Sequence, residues 1–265
     1  MKIIGFTQHR NELSKGNLHN WLKCMDMCEK IYVYDQASDD GSLEILRQHP
    51  KCVLIESQTN DFANENLCKK ALLEKLLLEQ PAADWIFWMD CDYLLSNNVL
   101  KDNFSGFFQM LDAANSEGIE ALAFGHYNLW RSDVYYRVDD NYHASHGHGR
   151  ISVWRNNGKL EFSPIQGLHK SPLPQGLGKS KRVNCDLIHR GFATDYQIIT
   201  KYNIYKSFGQ TGWELERLLN EKGLRVEKLQ DGLLPEWFIS RADIREPMSK
   251  QRLRTLIAEG AAIEN

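Results

Sequence analysis

Asp90-Cys91-Asp92 stands directly after the apolar run Trp85-Ile86-Phe87-Trp88-Met89 and before Tyr93-Leu94-Leu95. Such a run reads as a strand buried on both faces in the middle of a sheet. Open α/β sheets bind ligands at the carboxyl ends of such strands. On a turn, carboxylates at i and i+2 converge on one hard cation. Mg²⁺ or Mn²⁺ takes such oxygens and leaves positions for two phosphate oxygens of a nucleoside diphosphate, whose charge the cation neutralises as that group departs. A bare acid pair serves equally well as a solvated loop; the buried strand before it favours the binding reading.

Other polar residues offer weaker chemistry. His143, His146 and His148, with His126 upstream, suggest zinc, yet the spacing lacks a fourth good ligand and glycines surround it. A mobile acceptor-side loop that orders when donor binds fits the segment 139–149 better. Arg150 and Arg155, at the two ends of the next strand-like piece, are candidate diphosphate contacts. Tyr127, Trp130, Tyr135, Tyr136 and Tyr142 have the composition of a stacking surface for a sugar or base, which is also the composition of a core. Lys179-Ser180-Lys181-Arg182 is a compact basic run, read as a solvated loop or as a contact for a phosphate-bearing acceptor.

The elements that must position these groups alternate in the first half of the chain. Lys2 to Thr7, Lys30 to Asp35, Cys52 to Ile55 and Trp85 to Met89 read as strands; Asn17 to Glu29, Leu43 to Gln48 and residues 64 to 79 read as helices, with Ser42 as a cap for the second. The alternation predicts an α/β domain with a largely parallel sheet. Leu122 to Phe124, Arg150 to Trp154 and Val183 to Ile188 are further strand-like pieces. The proline- and glycine-rich segment 172–181 reads as mobile, and residues 194–222 and 246–260 are helical in pattern. The expected division is a core over residues 1–192 and a helical C-terminal extension over 193–265.

The 265 residues are 42% hydrophobic and 25% charged with a net charge of -3, so a broad polyanion-binding surface is not indicated. No apolar run approaches the ~20 residues a spanning helix needs, and the first residues enter a strand without signal-peptide architecture. The six cysteines form no CxxC pair, and Cys24 and Cys28 read as small core hydrophobes. A reducing, cytoplasmic setting is the expectation.

Taken together, Arg10-Asn11-Glu12, Asn20-Trp21-Leu22, Asp35-Gln36-Ala37-Ser38-Asp39-Asp40-Gly41-Ser42 and Asp90-Cys91-Asp92 resemble family 2 glycosyltransferases. The likeness is to a soluble branch with an RNE, D-x-S-D-D-G-[ST] and DxD layout. Arg150 to Arg155 followed by Gly167-Leu168-His169 resembles its K-x-R-L-F-R and G-x-x-H-E segments, and Asp186 to Phe192 resembles I-x-H-x-G-[YF]. The resemblance runs over about residues 1–206. It implies a GT-A fold, Rossmann-like with a mostly parallel central sheet flanked by helices, and a Mn²⁺- or Mg²⁺-dependent transferase using a nucleotide-sugar donor, with UDP the expected nucleotide.

The resemblance also implies roles. Thr7 and Glu12 would line the nucleoside pocket, and Asp35 would accept a hydrogen bond from the uracil imide. Asp90 would contact ribose or help hold the metal, Asp92 would be a direct ligand, and His189 would close the metal sphere. Each has a plainer alternative: Asp35 beginning an Asx-type turn, Asn11 and Glu12 capping a helix, and His189 as a structural histidine. An inverting transfer needs a general base. The branch often has an acid after the histidine of G-x-x-H-E, whereas this chain has Lys170, so His169 becomes the candidate base, with Glu161, Asp139 and Asp186 as others. A retaining mechanism needs none. Lys201 to Tyr205 resembles a K-x-x-x-Y helix behind the site, read as structural.

The expected acceptor is a hydroxyl, of a glycan first, with a modified DNA base or a protein side chain as alternatives. Nucleotidyl transfer to a sugar phosphate and non-catalytic carbohydrate binding are the competing readings. The first would favour a glycine-rich loop after the first strand, and Thr7 to Glu12 contains no glycine.

Overall fold

Alternation of side chains along the first strands decides the architecture. In β1 (Ile3–His9), β2 (Lys30–Gln36) and β4 (Trp85–Trp88), successive residues supply two different cores. Ile3, Ile31, Val33, Trp85 and Phe87 face one side, where α1 (Leu18–Cys24) packs Leu18, Trp21 and Cys24. Ile4, Phe6, Tyr32, Ile86 and Trp88 face the other, covered by Leu72, Leu73 and Leu76 of α3 (Glu65–Glu79). A sheet sandwiched this way needs apolar residues at every position of its central strand, and all four residues of β4 are buried.

The computed structural model describes residues 1–139, 149–165, 172–219 and 224–238. Eight strands form the main sheet in the order β3-β2-β1-β4-β8-β6-β9-β5. Here β3 is Cys52–Ser57, β5 is Tyr93–Leu95, β6 is Ala121–Asn128, β8 is Arg150–Arg155 and β9 is Ser180–His189. Strands β1 to β4 are mutually parallel, as are β6 and β9, while β8 and β5 run antiparallel to their neighbours. This is the expected α/β fold with a mostly parallel central sheet flanked by helices, consistent with a Rossmann-like GT-A type.

Several local expectations are corrected. Ser42 is not the cap of α2 (Ser42–Gln48): Gly41, at φ 91°, holds that position. The Ser42 hydroxyl instead accepts from the backbone N–H of Leu13 at 3.0 Å. Of the basic run, Ser180, Lys181 and Arg182 begin β9 rather than sitting in a loop, and Lys181 pairs with Glu117 at 2.7 Å. An unexpected helix, α4 (Asn97–Ser116), buries Phe107, Leu111 and Ala114 and is interrupted at Lys101–Phe104 by non-helical backbone.

Beyond residue 192 the described chain holds α5 (Asp195–Ser207), the short α6 (Trp213–Glu216) and a strand, β10 (Val226–Lys228). β10 pairs antiparallel with β7 (Tyr135–Arg137), and Leu229, Trp237 and Phe238 pack against the main core. The helix expected at 246–260 lies outside the described residues. No helix among the described residues is long and apolar enough to cross a membrane. All six cysteines are free.

Candidate active site

β4 ends at Trp88, and the chain turns through Met89 to Asp92 before re-entering the sheet as β5. One buried hydrogen bond anchors the start of this turn: the Trp21 indole N–H donates to the Met89 carbonyl at 2.8 Å. At its far end, β5 pairs with β9 so that Tyr93 is opposite His189, and β9 pairs with β6 so that Asn128 is opposite His189. Tyr93, His189 and Asn128 therefore stand in a row across three strands. The ladder continues by one bond, from the Arg190 N–H to the Asp92 carbonyl at 2.7 Å.

This register delivers Asp92 to His189. Asp92 Oδ2 is 3.1 Å from His189 Nε2, and His189 Nδ1 is 2.8 Å from Asn128 Oδ1. The Tyr93 ring stacks on the imidazole with centroids 4.5 Å apart. A third group arrives from α5. A capping box, in which Thr194 Oγ1 accepts from the Gln197 N–H and Gln197 Oε1 accepts from the Thr194 N–H, fixes the start of that helix. Ile198 and Tyr205 then bury the face on which Lys201 lies. Its Nζ sits 3.1 Å from Asp92 Oδ2, 3.4 Å from His189 Nε2 and 4.4 Å from the centre of the Phe192 ring.

Gly191 closes the back of this trio. A Cβ there would fall 2.0 Å from Lys201 Nζ and 2.5 Å from both Asp92 Oδ2 and His189 Nε2. Glycine is required here for space.

The electrostatics follow from the packing. Burial works against ionisation of Asp92, but the Lys201 ammonium and His189 outweigh it and hold the carboxyl well below its usual range. Burial lowers the His189 pKa below its ordinary value, with Asp92 opposing. Burial disfavours the Lys201 ammonium, yet Asp92 more than compensates and raises its pKa.

Asp90 is turned to a different partner. Its Oδ1 accepts from the Trp88 indole N–H at 2.8 Å and its Oδ2 from Arg150 Nη2 at 2.7 Å. The Arg150 guanidinium lies 4.3 Å from the Trp88 ring and 4.6 Å from the Tyr93 ring. Arg150 is thus held by two cation–π contacts and a carboxylate, beside the Asp92 cluster.

The metal ligands expected from the sequence are therefore only partly brought together. Asp92 and His189 meet; Asp90 does not join them, and no group of three or more His, Cys, Asp or Glu side chains arranged to hold a metal occurs among the described residues. The Asp92–His189 pair nevertheless suits a divalent cation. Two ligands about 2.1 Å from one octahedral ion lie about 3 Å apart, close to the 3.1 Å seen. A neutral histidine whose Nδ1 is held by an oxygen presents Nε2 as a lone pair, as a ligand must.

The residues expected to line a nucleoside pocket lie near the end of β1, in the loop after it and at the end of β2. Thr7 is fully buried and donates to the Gln8 carbonyl at 3.3 Å. Glu12 accepts from Lys15 at 2.7 Å and from Asn17 at 2.9 Å, and Asn17 accepts from Arg190 at 2.8 Å. Asp35 is fully buried; it accepts from the Ser38 N–H at 3.0 Å and the Ser38 hydroxyl at 2.5 Å, and His9 Nε2 lies 3.1 Å away. Burial raises its pKa, but the contacts from His9 and Ser38 outweigh this and leave it lowered. Asp35 thus organises its own turn, as its plainer reading anticipates. The loops after β1 and β2 are laced together: Asn11 and Asp39 exchange two hydrogen bonds at 2.7 and 2.9 Å, and the Ser14 N–H donates to Asp40 at 2.8 Å.

His169, with the Gly167-Leu168-His169 segment, and His143, His146, His148 and Tyr142 lie outside the described residues. Among the other candidate bases, Asp139 is buried and bound by Arg137 at 2.7 Å, and the exposed Glu161 pairs with Lys70 at 3.2 Å. Arg155 lies over Trp85 at the opposite end of β8 from Arg150. Tyr127 and Tyr136 pack edge to face at 4.7 Å and Trp130 packs on Phe192 at 5.6 Å, so these rings belong to the cores. Two members of the site were not expected from sequence, Asn128 and Lys201. Lys201 carried a signal, its place in a K-x-x-x-Y helix; Asn128 carried none.

No family model matches the chain, and no curated protein matches it. Several solved structures do, remotely. A protein from STIV is 13% identical over 59% of this chain, which spans 65% of that protein's length, at a TM-score of 0.28. HddC from Yersinia pseudotuberculosis is 12% identical, with 74% of this chain against 96% of that one and a TM-score of 0.38. The 4-diphosphocytidyl-2C-methyl-D-erythritol synthase of Anaerococcus prevotii is 9% identical, with 98% against 96% and a TM-score of 0.32. Likenesses this distant carry no argument about activity.

Proposed function

We propose that the chain is a glycosyltransferase that moves a sugar from a nucleotide-sugar, a UDP-sugar first, to a hydroxyl acceptor such as a glycan. The observation that carries the reading is the Asp92–His189 pair at the carboxyl edge of the central strand, 3.1 Å apart and flanked by the cations Lys201 and Arg150. Anionic ligands with developing charge need this combination.

In this reading Asp92 and His189 hold Mn²⁺ or Mg²⁺, which when bound supplies charge neutralisation for the departing diphosphate. Arg150, fixed between Trp88 and Tyr93, contacts a phosphate oxygen or ribose-side group in this reading, and Asp90 sets its angle. Thr7, Glu12 and Asp35 shape the nucleoside side by holding the loops after β1 and β2 in place. Direct uracil recognition by Asp35 requires its turn to open, since no solvent reaches it. His169 remains the proposed base for an inverting transfer.

Product analysis tests the proposal. Incubation with UDP-sugars and Mn²⁺ should slowly release UDP and free sugar. Release of pyrophosphate from a nucleoside triphosphate and a sugar phosphate would instead establish nucleotidyl transfer, and sugar binding without any product would establish a non-catalytic carbohydrate-binding protein.

A further inference from the structure

Lys201 occupies a place that the proposed metal chemistry leaves unexplained. Its ammonium lies in the wedge between Asp92 Oδ2 and His189 Nε2, at 3.1 and 3.4 Å. A cation bound by both of those atoms at about 2.1 Å would have to enter the same wedge. Gly191 forms the wall behind it, with room for no further atom: even a methyl carbon would fall 2.0 Å from Nζ. The ammonium and a divalent ion therefore compete for Asp92.

The ammonium is also needed when no metal is present. In the tautomer that gives Nδ1–H to Asn128, His189 Nε2 and Asp92 Oδ2, 3.1 Å apart, are both acceptors and are held together by a positive donor that reaches both. Lys201 is that donor. The side chain has somewhere to go, since Nζ already lies 4.4 Å from the centre of the Phe192 ring, whose face attracts an ammonium independently of Asp92.

We propose that Lys201 is the resting counter-ion of the metal site, holding Asp92 and His189 in ligand geometry in the nucleotide-free protein and giving up that position when a divalent cation binds. Lys201 is thereby a positioning residue that sets how tightly metal binds before donor arrives. The displaced ammonium stays within reach of the same cluster, where a diphosphate adds the negative charge that lets both cations remain. Metal and nucleotide then bind as a unit, and metal alone binds weakly. The inference rests on the reading of Asp92 and His189 as cation ligands.

The test is a Mn²⁺ titration of the nucleotide-free full-length chain, followed by the loss of the free-ion electron paramagnetic resonance signal. Lys201→Met should bind one Mn²⁺ at least ten-fold more tightly than the wild type, and Lys201→Arg, which keeps the charge, should stay as weak as the wild type. Lys201→Met should also melt at a lower temperature than the wild type without metal and recover with Mn²⁺. Unchanged or weaker Mn²⁺ binding in Lys201→Met overturns the proposal. So does a variant that stays unfolded with saturating Mn²⁺, because metal then fails to replace the ammonium. The readout uses Mn²⁺ alone, so it is separable from the product analysis. A chain that releases pyrophosphate can still show the exchange, and a true sugar transferase can fail it.

Discussion

Asn128 Oδ1 lies 2.8 Å from His189 Nδ1, so the amide sets which face of the imidazole is turned to Asp92. Replacing this oxygen with an apolar group of similar size frees the ring to tip and to change tautomer. Asn128→Leu should lower Mn²⁺ affinity in the presence of UDP by roughly 10–100-fold, measured by calorimetry, with melting temperature changed far less. Unaltered affinity would show that Tyr93 stacking alone orients the ring.

Gly191→Ala should damage the site through volume. A Cβ at that position meets three charged or polar atoms at 2.0 to 2.5 Å, and overpacking of this kind costs about 1–3 kcal/mol. Adding Lys201→Ala removes the nearest and most flexible of the three, so the double variant should regain part of the lost stability. Strict additivity in a denaturation cycle would mean that the methyl group is accommodated elsewhere.

Arg150→Lys keeps the charge and discards the plane. The guanidinium is held between Trp88 and Tyr93 at 4.3 and 4.6 Å, contacts worth about 0.5–2 kcal/mol each that an ammonium does not reproduce in the same geometry. Nucleoside diphosphate affinity should fall about ten-fold, without the effect on metal-only binding expected at Lys201. Affinity equal to the wild type would reduce Arg150 to a point charge.

Trp21→Phe removes the N–H that reaches the Met89 carbonyl together with part of a fully buried indole, so a cavity cost adds to the lost hydrogen bond. A buried acceptor left without its donor costs about 1–3 kcal/mol, readable as a shift in urea midpoint. Because Met89 begins the turn that carries Asp90 and Asp92, the same variant should weaken nucleotide binding without touching the site directly.

The acid side of the stability curve should follow Asp92 and, separably by mutation, the carboxylates of the second loop. Asp35 and Asp40 both have folded pKa values below their ordinary ones: burial opposes this, but the nearby His9 and the hydrogen bonds from Ser38 at Asp35, and the hydrogen bonds from Ser14 and Ser42 at Asp40, outweigh it. Groups shifted in this direction contribute stability that is fully present above the unfolded value of about 3.9 and is lost as pH falls through the folded value. Melting temperature should be flat with respect to these groups above about pH 5 and decline below pH 4. Asp35→Asn should melt lower at neutral pH and show a shallower acid decline; a parallel decline would assign the acid sensitivity elsewhere.

What was legible from sequence is what local pattern records. The continuous apolar run of β4 announced a central strand, and the acid pair marks the turn at which that strand ends. Residues 64–79 showed their helix by spacing. The short strands β7 and β10 carry no such record, because each is three residues long and is defined by pairing with a segment distant in sequence. The same reason hid Asn128: its importance depends on the register of β6 against β9, which no local window contains. Lys201 was visible but misread as support, since a lysine between Ile198 and Tyr205 looks like the edge of a buried helix face until the helix is set against Asp92. Phe107, Leu111 and Ala114 carry the helical period of α4 in the sequence itself.

The site also has an order of assembly written into its chain connectivity. His189, Gly191 and Lys201 lie on either side of one short turn, whereas Asp92 comes from 97 residues upstream of His189 and 109 upstream of Lys201. The cationic half can form as a local strand-turn-helix unit while the anionic half waits on a sheet that must close across the whole domain. Long-range closure of that kind comes late and slowly. Until it happens, the lysine has no carboxylate to face, so the final docking of the edge strand β5 onto β9 is drawn by charge as well as by backbone pairing. Competence to bind any ligand at Asp92 would then arise only with the last cooperative step of folding, which would keep partly folded chains from engaging one.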